Sequence, residues 1–392
     1  MNNTISIYVH YPFCLAKCPY CDFNSHVQKD VDDKRFLVAY EKELEFFKGK
    51  IGKKRVKTVF FGGGTPSLMP IFLVEGILKK ISEVFEMKKD VEISLEANPT
   101  SFESKKFKDL RRVGVNRLSL GIQALNDEDL KFLGREHSAS EAMKSIEEAR
   151  NIFDNFSFDL IYARPKQNLK DWEAELKKAI NFGTSHLSLY QLSIEKGTKF
   201  YSSFNKGEFE MPENDLAADF YELTDQITKE NGFFDYEISN YAKKGKECKH
   251  NLAYWQGDDY IGIGAGAHGR LYFEGDKVRK STMMTHKPQN WLDLVSEKGV
   301  GIQKQENLSA QDTLEELVLT SLRTQKGFEL AMLQKHFKDK IFGDYFDLTA
   351  LEKLKKAGMV DFEEGFIRVS KKYRILTNQI IGKVVDTIET MV

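Results

Sequence analysis

The chain of 392 residues holds only four cysteines, and three of them fall between positions 14 and 21. A disulfide framework is untenable with so few, so a reducing compartment, the cytoplasm, is expected. Charge of one sign is not in excess, with 58 Lys and Arg against 59 Asp and Glu. That balance provides no global attraction to nucleic acid or to an anionic membrane. No run approaches the 18 or so apolar residues of a membrane span, and no basic segment followed by a long apolar one opens the chain. A soluble protein is expected, a reading compatible with reversible association at a membrane surface. Low-complexity tracts are lacking, as are internal repeats beyond an alternation of strands and helices.

That alternation is the first thing present. Apolar runs at 5–9, 57–61, 91–96, 117–121, 157–162 and 186–192 read as strands, and charged stretches of helical period separate them at 33–47, 71–85, 140–153 and 171–182. Six such repeats predict an α/β fold with a parallel sheet, either open or closed into a partial (β/α)6 barrel. In both, ligands bind at the C-terminal ends of strands. Cys14, Gly62-Gly63-Gly64-Thr65-Pro66, Glu96, Gln123, Ala163 and Ser193 all fall there, on one rim.

From about 205 the pattern changes. A helix over 215–230 precedes the aromatic stretch Tyr236-Glu237-Ile238-Ser239-Asn240-Tyr241 and then His250-Asn251-Leu252-Ala253-Tyr254-Trp255. After Leu308 three helices lead to a hairpin around 363–365 with strands at 359–362 and 366–369, and a last helix follows Lys371. This order predicts a winged-helix-like module. Lys353, Lys355 and Lys356 alone do not make it a DNA-binding one, and no nucleic-acid partner is expected. The expected domains are 1–205, 206–305 and 306–392.

Cys14-Leu15-Ala16-Lys17-Cys18-Pro19-Tyr20-Cys21 supplies three thiolates and no fourth. Two chemistries fit that spacing: a structural zinc closed by His10 or His26, or an iron–sulfur cluster with one iron open to a small molecule. Gly62-Gly63-Gly64-Thr65-Pro66 follows a strand and lets backbone approach a ligand, but lacks the Gly-Lys-Ser/Thr ending of a nucleoside triphosphate loop. Gly264-Ala265-Gly266-Ala267-His268-Gly269 matches a dinucleotide fingerprint, yet no helix pattern follows it. Its glycines are expected to pack backbone at the barrel mouth, with His268 and Arg270 facing a pocket and Arg270 available to a carboxylate.

Taken together, the cysteine and glycine segments resemble the signatures of the radical S-adenosylmethionine (SAM) superfamily. Tyr8-Val9-His10-Tyr11-Pro12-Phe13-Cys14, Glu96-Ala97-Asn98-Pro99, Asn116-Arg117-Leu118-Ser119-Leu120-Gly121-Ile122-Gln123 and Gly134-Arg135 narrow it to the HemN/HemW branch, which holds oxygen-independent coproporphyrinogen III oxidases and heme chaperones. The resemblance covers nearly the whole chain. It implies Cys14, Cys18 and Cys21 as ligands of a [4Fe–4S] cluster, and Tyr8, Tyr20, Gly63, Gly64 and Thr65 at SAM-contacting positions. Glu96, Gln123, Arg135 and Asp159 would surround SAM, Gln123 and Asp159 at the ribose and Arg135 at the carboxylate.

Phe23 stands where the oxidases show a further cysteine, and only 13 residues precede Cys14. Both features resemble the chaperones. That implies a protein that binds heme and delivers it to heme-dependent proteins such as respiratory enzymes; the alternative is the radical decarboxylase. His250 would be the axial heme ligand, with Tyr254 and Trp255 as flat apolar surface and Cys248 a buried thiol. Where the branch has Gly-Leu-Pro after the fifth strand, this chain has Ala163-Arg164-Pro165. The expectation is that positive φ is dispensable at 163 and that Arg164 adds a charge at the rim.

Overall fold

Alternation along the strands decides which way the sheet faces. In Thr4–Tyr11, Ile5, Ile7 and Val9 lie on the helix-covered side, while Ser6 and Tyr8 point the other way, into the barrel. The strands Thr4–Tyr11, Arg55–Gly63, Glu86–Ala97, Arg117–Gln123, Phe156–Tyr162 and His186–Gln191 lie side by side in chain order, all parallel. The computed structural model describes residues 3–28 and 30–390; the outermost positions of the expected first and last domains lie outside them.

Helices Asp33–Ile51, Ile71–Val84, Ala139–Ile152 and Leu169–Asn181 cover the outer face. Their starts are written locally. The Asp32 carboxylate accepts from Arg35 N, Ser138 and Glu141 form a capping box, and Asn168 accepts from Asp171 N. Leu73, Val74, Ile77, Leu78 and Ile81 form one buried stripe on the second helix.

The sheet continues past both edges of the six. Asn240–Ala242 adds antiparallel to His186–Gln191, and Tyr260–Ile263 adds parallel to Thr4–Tyr11, followed by His268–Leu271, Lys280–Met284 and Ile302–Asn307. Lys249–Trp255 connects the two edges and packs against the inner face, where His250 meets Thr58 and Phe60. One hydrophobic core takes in Leu187, Phe220, Tyr241, Ile261 and Trp291, so the segment after 205 shares the barrel's core. Glu43 ties it on: its carboxylate accepts from Gly264 N (2.8 Å), Gly301 N (2.9 Å) and Trp291 Nε1 (2.9 Å).

Helices Ala310–Ser321, Leu330–His336 and Leu348–Lys356, the hairpin Val360–Glu363 and Phe366–Val369, and the closing helix Thr377–Val385 surround a separate core that includes Leu317, Phe328, Phe346, Leu351 and Ile367. Among the described residues no helix is long and apolar enough to cross a membrane.

The departure at 163–165 differs from expectation in both respects. Ala163 has φ +54°, and Gln123, at the end of the neighbouring strand, has φ +73°. The left-handed turn is therefore kept without glycine, at a cost of about 1–2 kcal/mol per residue. Arg164 does not charge the rim: it is buried, 2.6 Å from Glu175 Oε2 and 2.8 Å from Asp129 Oδ2.

Candidate cluster and cofactor site

Beyond the first strand the chain makes a short parallel pair, Phe13–Cys14 with His26–Val27, and the loop between them carries Cys18 and Cys21. All three thiols are partly exposed. Thr65 Oγ1 donates to Cys14 Sγ (3.4 Å), Arg135 Nη1 donates to Cys18 Sγ (3.3 Å), and the Ser25 hydroxyl serves both Cys14 and Cys21. Burial pushes the Cys14 and Cys21 thiols up.

Of the two histidines that could close a zinc site, His10 has both ring nitrogens engaged and His26 has one. His10 is engaged at Nδ1 by the Tyr8 hydroxyl (3.0 Å) and at Nε2 by Asn24 O (2.9 Å), and His26 Nε2 is engaged by Asn24 Oδ1 (3.2 Å). Among the described residues no three His, Cys, Asp or Glu side chains converge on a single metal ion. The donor set is three thiols spread round one loop, which fits the separate irons of a cluster. Cys248 lies apart, buried against Glu92, its thiol pushed up to about 11 by burial.

The glycine segment brings the second strand against this loop. A Cβ on Gly64 would lie 2.6 Å from Phe13 O, and one on Gly63, which has φ +111°, would lie 2.6 Å from the His10 ring. Asn98 links the pieces: its Nδ2 donates to Thr65 Oγ1 (3.2 Å), and its Oδ1 accepts from Arg135 Nη2 (2.5 Å). Arg135 also reaches Gly121 O (2.9 Å) and the Tyr20 hydroxyl (3.5 Å). Tyr20, Thr65 and Arg135 thus share one network with Cys14 and Cys18. Gln123 stands beside it, and Gln123 Oε1 and Arg135 Nε are buried with no hydrogen-bond partner. Such orphaned atoms suit a polar ligand.

On the adjacent strand, Glu96 Oε2 accepts from Gly63 N (3.3 Å). Burial first, and the negative Asp159 second, raise Glu96 to about 8; burial raises Asp159 to about 6, against Ser188, Arg117 and Arg135. Two carboxylates held this way favour a cation, and SAM carries a sulfonium. Because Glu96 binds its proton more tightly folded than unfolded, its contribution to stability is greatest below the usual carboxylate pKa and is lost as pH rises to about 8. Urea titrations of ligand-free protein from pH 5 to 8 should therefore show wild type losing roughly 3–4 kcal/mol more stability than Glu96→Gln. Parallel curves would refute the assignment.

Tyr8, Gly63 and Glu96 form the inner end of a cleft of about 910 Å³. Its outer walls are Asp22, Phe23 and Asn24 of the cysteine loop, Tyr254 and Trp255, His268 and His286, and Leu319 and Thr320 of the C-terminal module. His250 is not in that wall. Its ring is buried on Phe60, Nδ1 meets Thr58 Oγ1 (2.7 Å), Nε2 meets the Tyr254 hydroxyl (2.9 Å), and burial depresses its pKa to about 3. With both nitrogens taken, the expectation of a free axial imidazole at 250 is not met in this arrangement. Arg270 does line the cleft, but Glu316 already holds its Nε at 2.8 and 2.9 Å.

The roles of Asn98, Asn24 and Arg117 had no signal in the spacing. Asn98 and Arg117 were legible only as parts of motifs. Asn24 Nδ2 donates to Ala265 O (3.0 Å) and His286 O (3.1 Å). Arg117, buried inside the barrel, donates to Ser157 Oγ (2.8 Å).

Fold and site define a radical SAM protein. Residues 8–179 match the Radical SAM superfamily and residues 308–375 the HemN C-terminal domain. The chain belongs to the HemW family within that superfamily. It is 34% identical to the heme chaperone HemW of Bacillus subtilis over 96% of this chain and 98% of that one. It is 37% identical to the heme chaperone HemW of Escherichia coli over 81% and 82%. The Mus musculus mitochondrial radical S-adenosyl methionine domain-containing protein 1 is 38% identical over 82% of this chain and 74% of its own. Among solved structures, coproporphyrinogen III oxidase (HemN) from Escherichia coli superposes with a TM-score of 0.81 at 25% identity, covering 98% of this chain and 90% of the oxidase. Membership of the superfamily implies a [4Fe–4S] cluster and SAM.

Proposed function

We propose that this protein is a cytoplasmic heme chaperone that binds heme and passes it to heme-dependent proteins such as respiratory enzymes. The observation that carries the reading is the large cleft running from Tyr8, Gly63 and Glu96 out past Phe23 to the C-terminal module. It is larger than SAM alone requires, and a flat apolar macrocycle suits its aromatic walls. The names of the bacterial relatives support the same reading.

In this reading Cys14, Cys18 and Cys21 hold the cluster, which, bound with SAM, supplies one-electron chemistry at an open iron. Arg135, anchored by Asn98 and bonded to Cys18 Sγ, would pair with the SAM carboxylate. Gln123 and Asp159 would hold the ribose, and Glu96, next to the Gly63 amide, would balance positive charge. Tyr8 and Tyr20 close the flanks. Phe23, 62% exposed, presents an apolar ring to the cleft.

Anaerobically reconstituted protein given SAM, a low-potential reductant and coproporphyrinogen III should return the tetrapyrrole at unchanged mass. The same protein should bind hemin and transfer it to an apo-heme protein. Sequential loss of two carboxyl groups would overturn the chaperone reading in favour of the oxidase.

A further inference from the structure

We propose that His268 is the iron ligand for heme in this cleft, an inference that rests on the heme-binding reading above. The chain has eight histidines, and the packing disposes of most of them. His10 and His250 have both ring nitrogens engaged. His336 is engaged by the Tyr272 hydroxyl and Gly257 O, each at 3.1 Å. His137 and His186 are buried, bonded to Ile122 O (3.1 Å) and the Tyr236 hydroxyl (2.8 Å). His26 is bonded to Asn24 and forms no part of the cleft wall.

That leaves His268 and His286. Both are exposed to the cleft, and neither ring makes a hydrogen bond to a described residue. His268 has the firmer base. It opens the strand His268–Leu271 and lies opposite Met283 in the ladder, whereas His286 lies beyond the end of its own strand, Lys280–Met284. Partial burial, with Arg270 and His286 adding positive charge, pushes His268 down, which keeps its imidazole neutral and a lone pair available at neutral pH.

The rest of the cleft suits a porphyrin around that ligand. Phe23 and Leu319 are apolar side chains left exposed in its walls, and Trp255 adds a third flat surface. Trp255 Nε1 is buried along the wall without a hydrogen-bond partner, a spare donor for a propionate oxygen. Asn24 holds the cysteine loop to Ala265 O and His286 O, and Gly266 is required there because a Cβ would lie 2.1 Å from Asn24 Nδ2. The histidine-bearing segments are thereby fixed relative to the cluster loop.

The test is hemin titration of full-length cluster-loaded protein, with difference spectra in the Soret region and resonance Raman of the ferrous heme form. His268→Ala should weaken hemin binding roughly tenfold or more and remove the iron–imidazole stretch, and added imidazole should restore it. His286→Ala should keep that stretch, and unchanged circular dichroism in each variant separates ligation from folding. An intact stretch in His268→Ala, or its loss only in His286→Ala or His250→Ala, overturns the assignment while leaving the heme reading standing. Wild type that binds no hemin at all overturns the heme reading itself.

Discussion

Replacing any one of Cys14, Cys18 and Cys21 by alanine is expected to leave the protein without a stable [4Fe–4S] cluster. In the proposed arrangement each thiolate would hold a separate iron, and each substitution would remove one of three protein ligands. The nearby histidines and the fourth cysteine are engaged or buried. His10 is held at both nitrogens between Tyr8 and Asn24, His26 is bonded to Asn24, and Cys248 is buried beside Glu92. Iron and sulfide content after anaerobic reconstitution should fall to near background, with loss of the visible charge-transfer absorption. Cys248→Ala should keep a full load. A single-cysteine variant that still carries four irons would show that another side chain completes the set and would reopen the donor assignment.

The second large effect is expected at Arg164. Its guanidinium, 2% exposed, contacts Glu175 Oε2 at 2.6 Å, Asp129 Oδ2 at 2.8 Å and Ile161 O at 2.7 Å. Glu175 Oε1 accepts from Leu125 N at 2.7 Å. Together they clamp helix Leu169–Asn181 to the turns after the fourth and fifth barrel strands. Glu175→Ala leaves a buried cation short of its main partner and an unpaired buried amide, a loss of about 3–5 kcal/mol. Replacing both members by apolar residues, Arg164→Leu with Glu175→Leu, should recover much of that, because the desolvation cost of both charges disappears with them. Urea midpoints of the single and double variants decide the matter. A Glu175→Ala midpoint within experimental error of wild type would mean that Asp129 alone suffices.

Arg164 also shows where sequence reasoning stops. Read as a departure from Gly-Leu-Pro, Ala163-Arg164-Pro165 suggested a relaxed turn with a surface charge. In the fold, Ala163 keeps positive φ and Arg164 turns inward to two carboxylates. The backbone path after the fifth strand is imposed by the barrel, and the side chains adapt to it. His250 teaches the same lesson. Beside Tyr254 and Trp255 in the chain it resembles a ligand, yet its ring nitrogen is taken by Thr58, 192 residues away.

Local physics was enough for the six strands, the four longer helices between them, the winged-helix order of the C-terminal elements and the three-thiolate loop, while the short helices Phe107–Arg112 and Asp127–Phe132 gave no such signal. Side-chain period, capping residues and cysteine spacing act over a few residues, so the sequence alone determined them. Which histidine stays free, which arginine is already paired and which carboxylates face each other across the barrel depended on contacts between segments distant in the chain. Such pairings compete for the same few partners, and only closure of the sheet, with Lys249–Trp255 packed against its inner face, decided the competition.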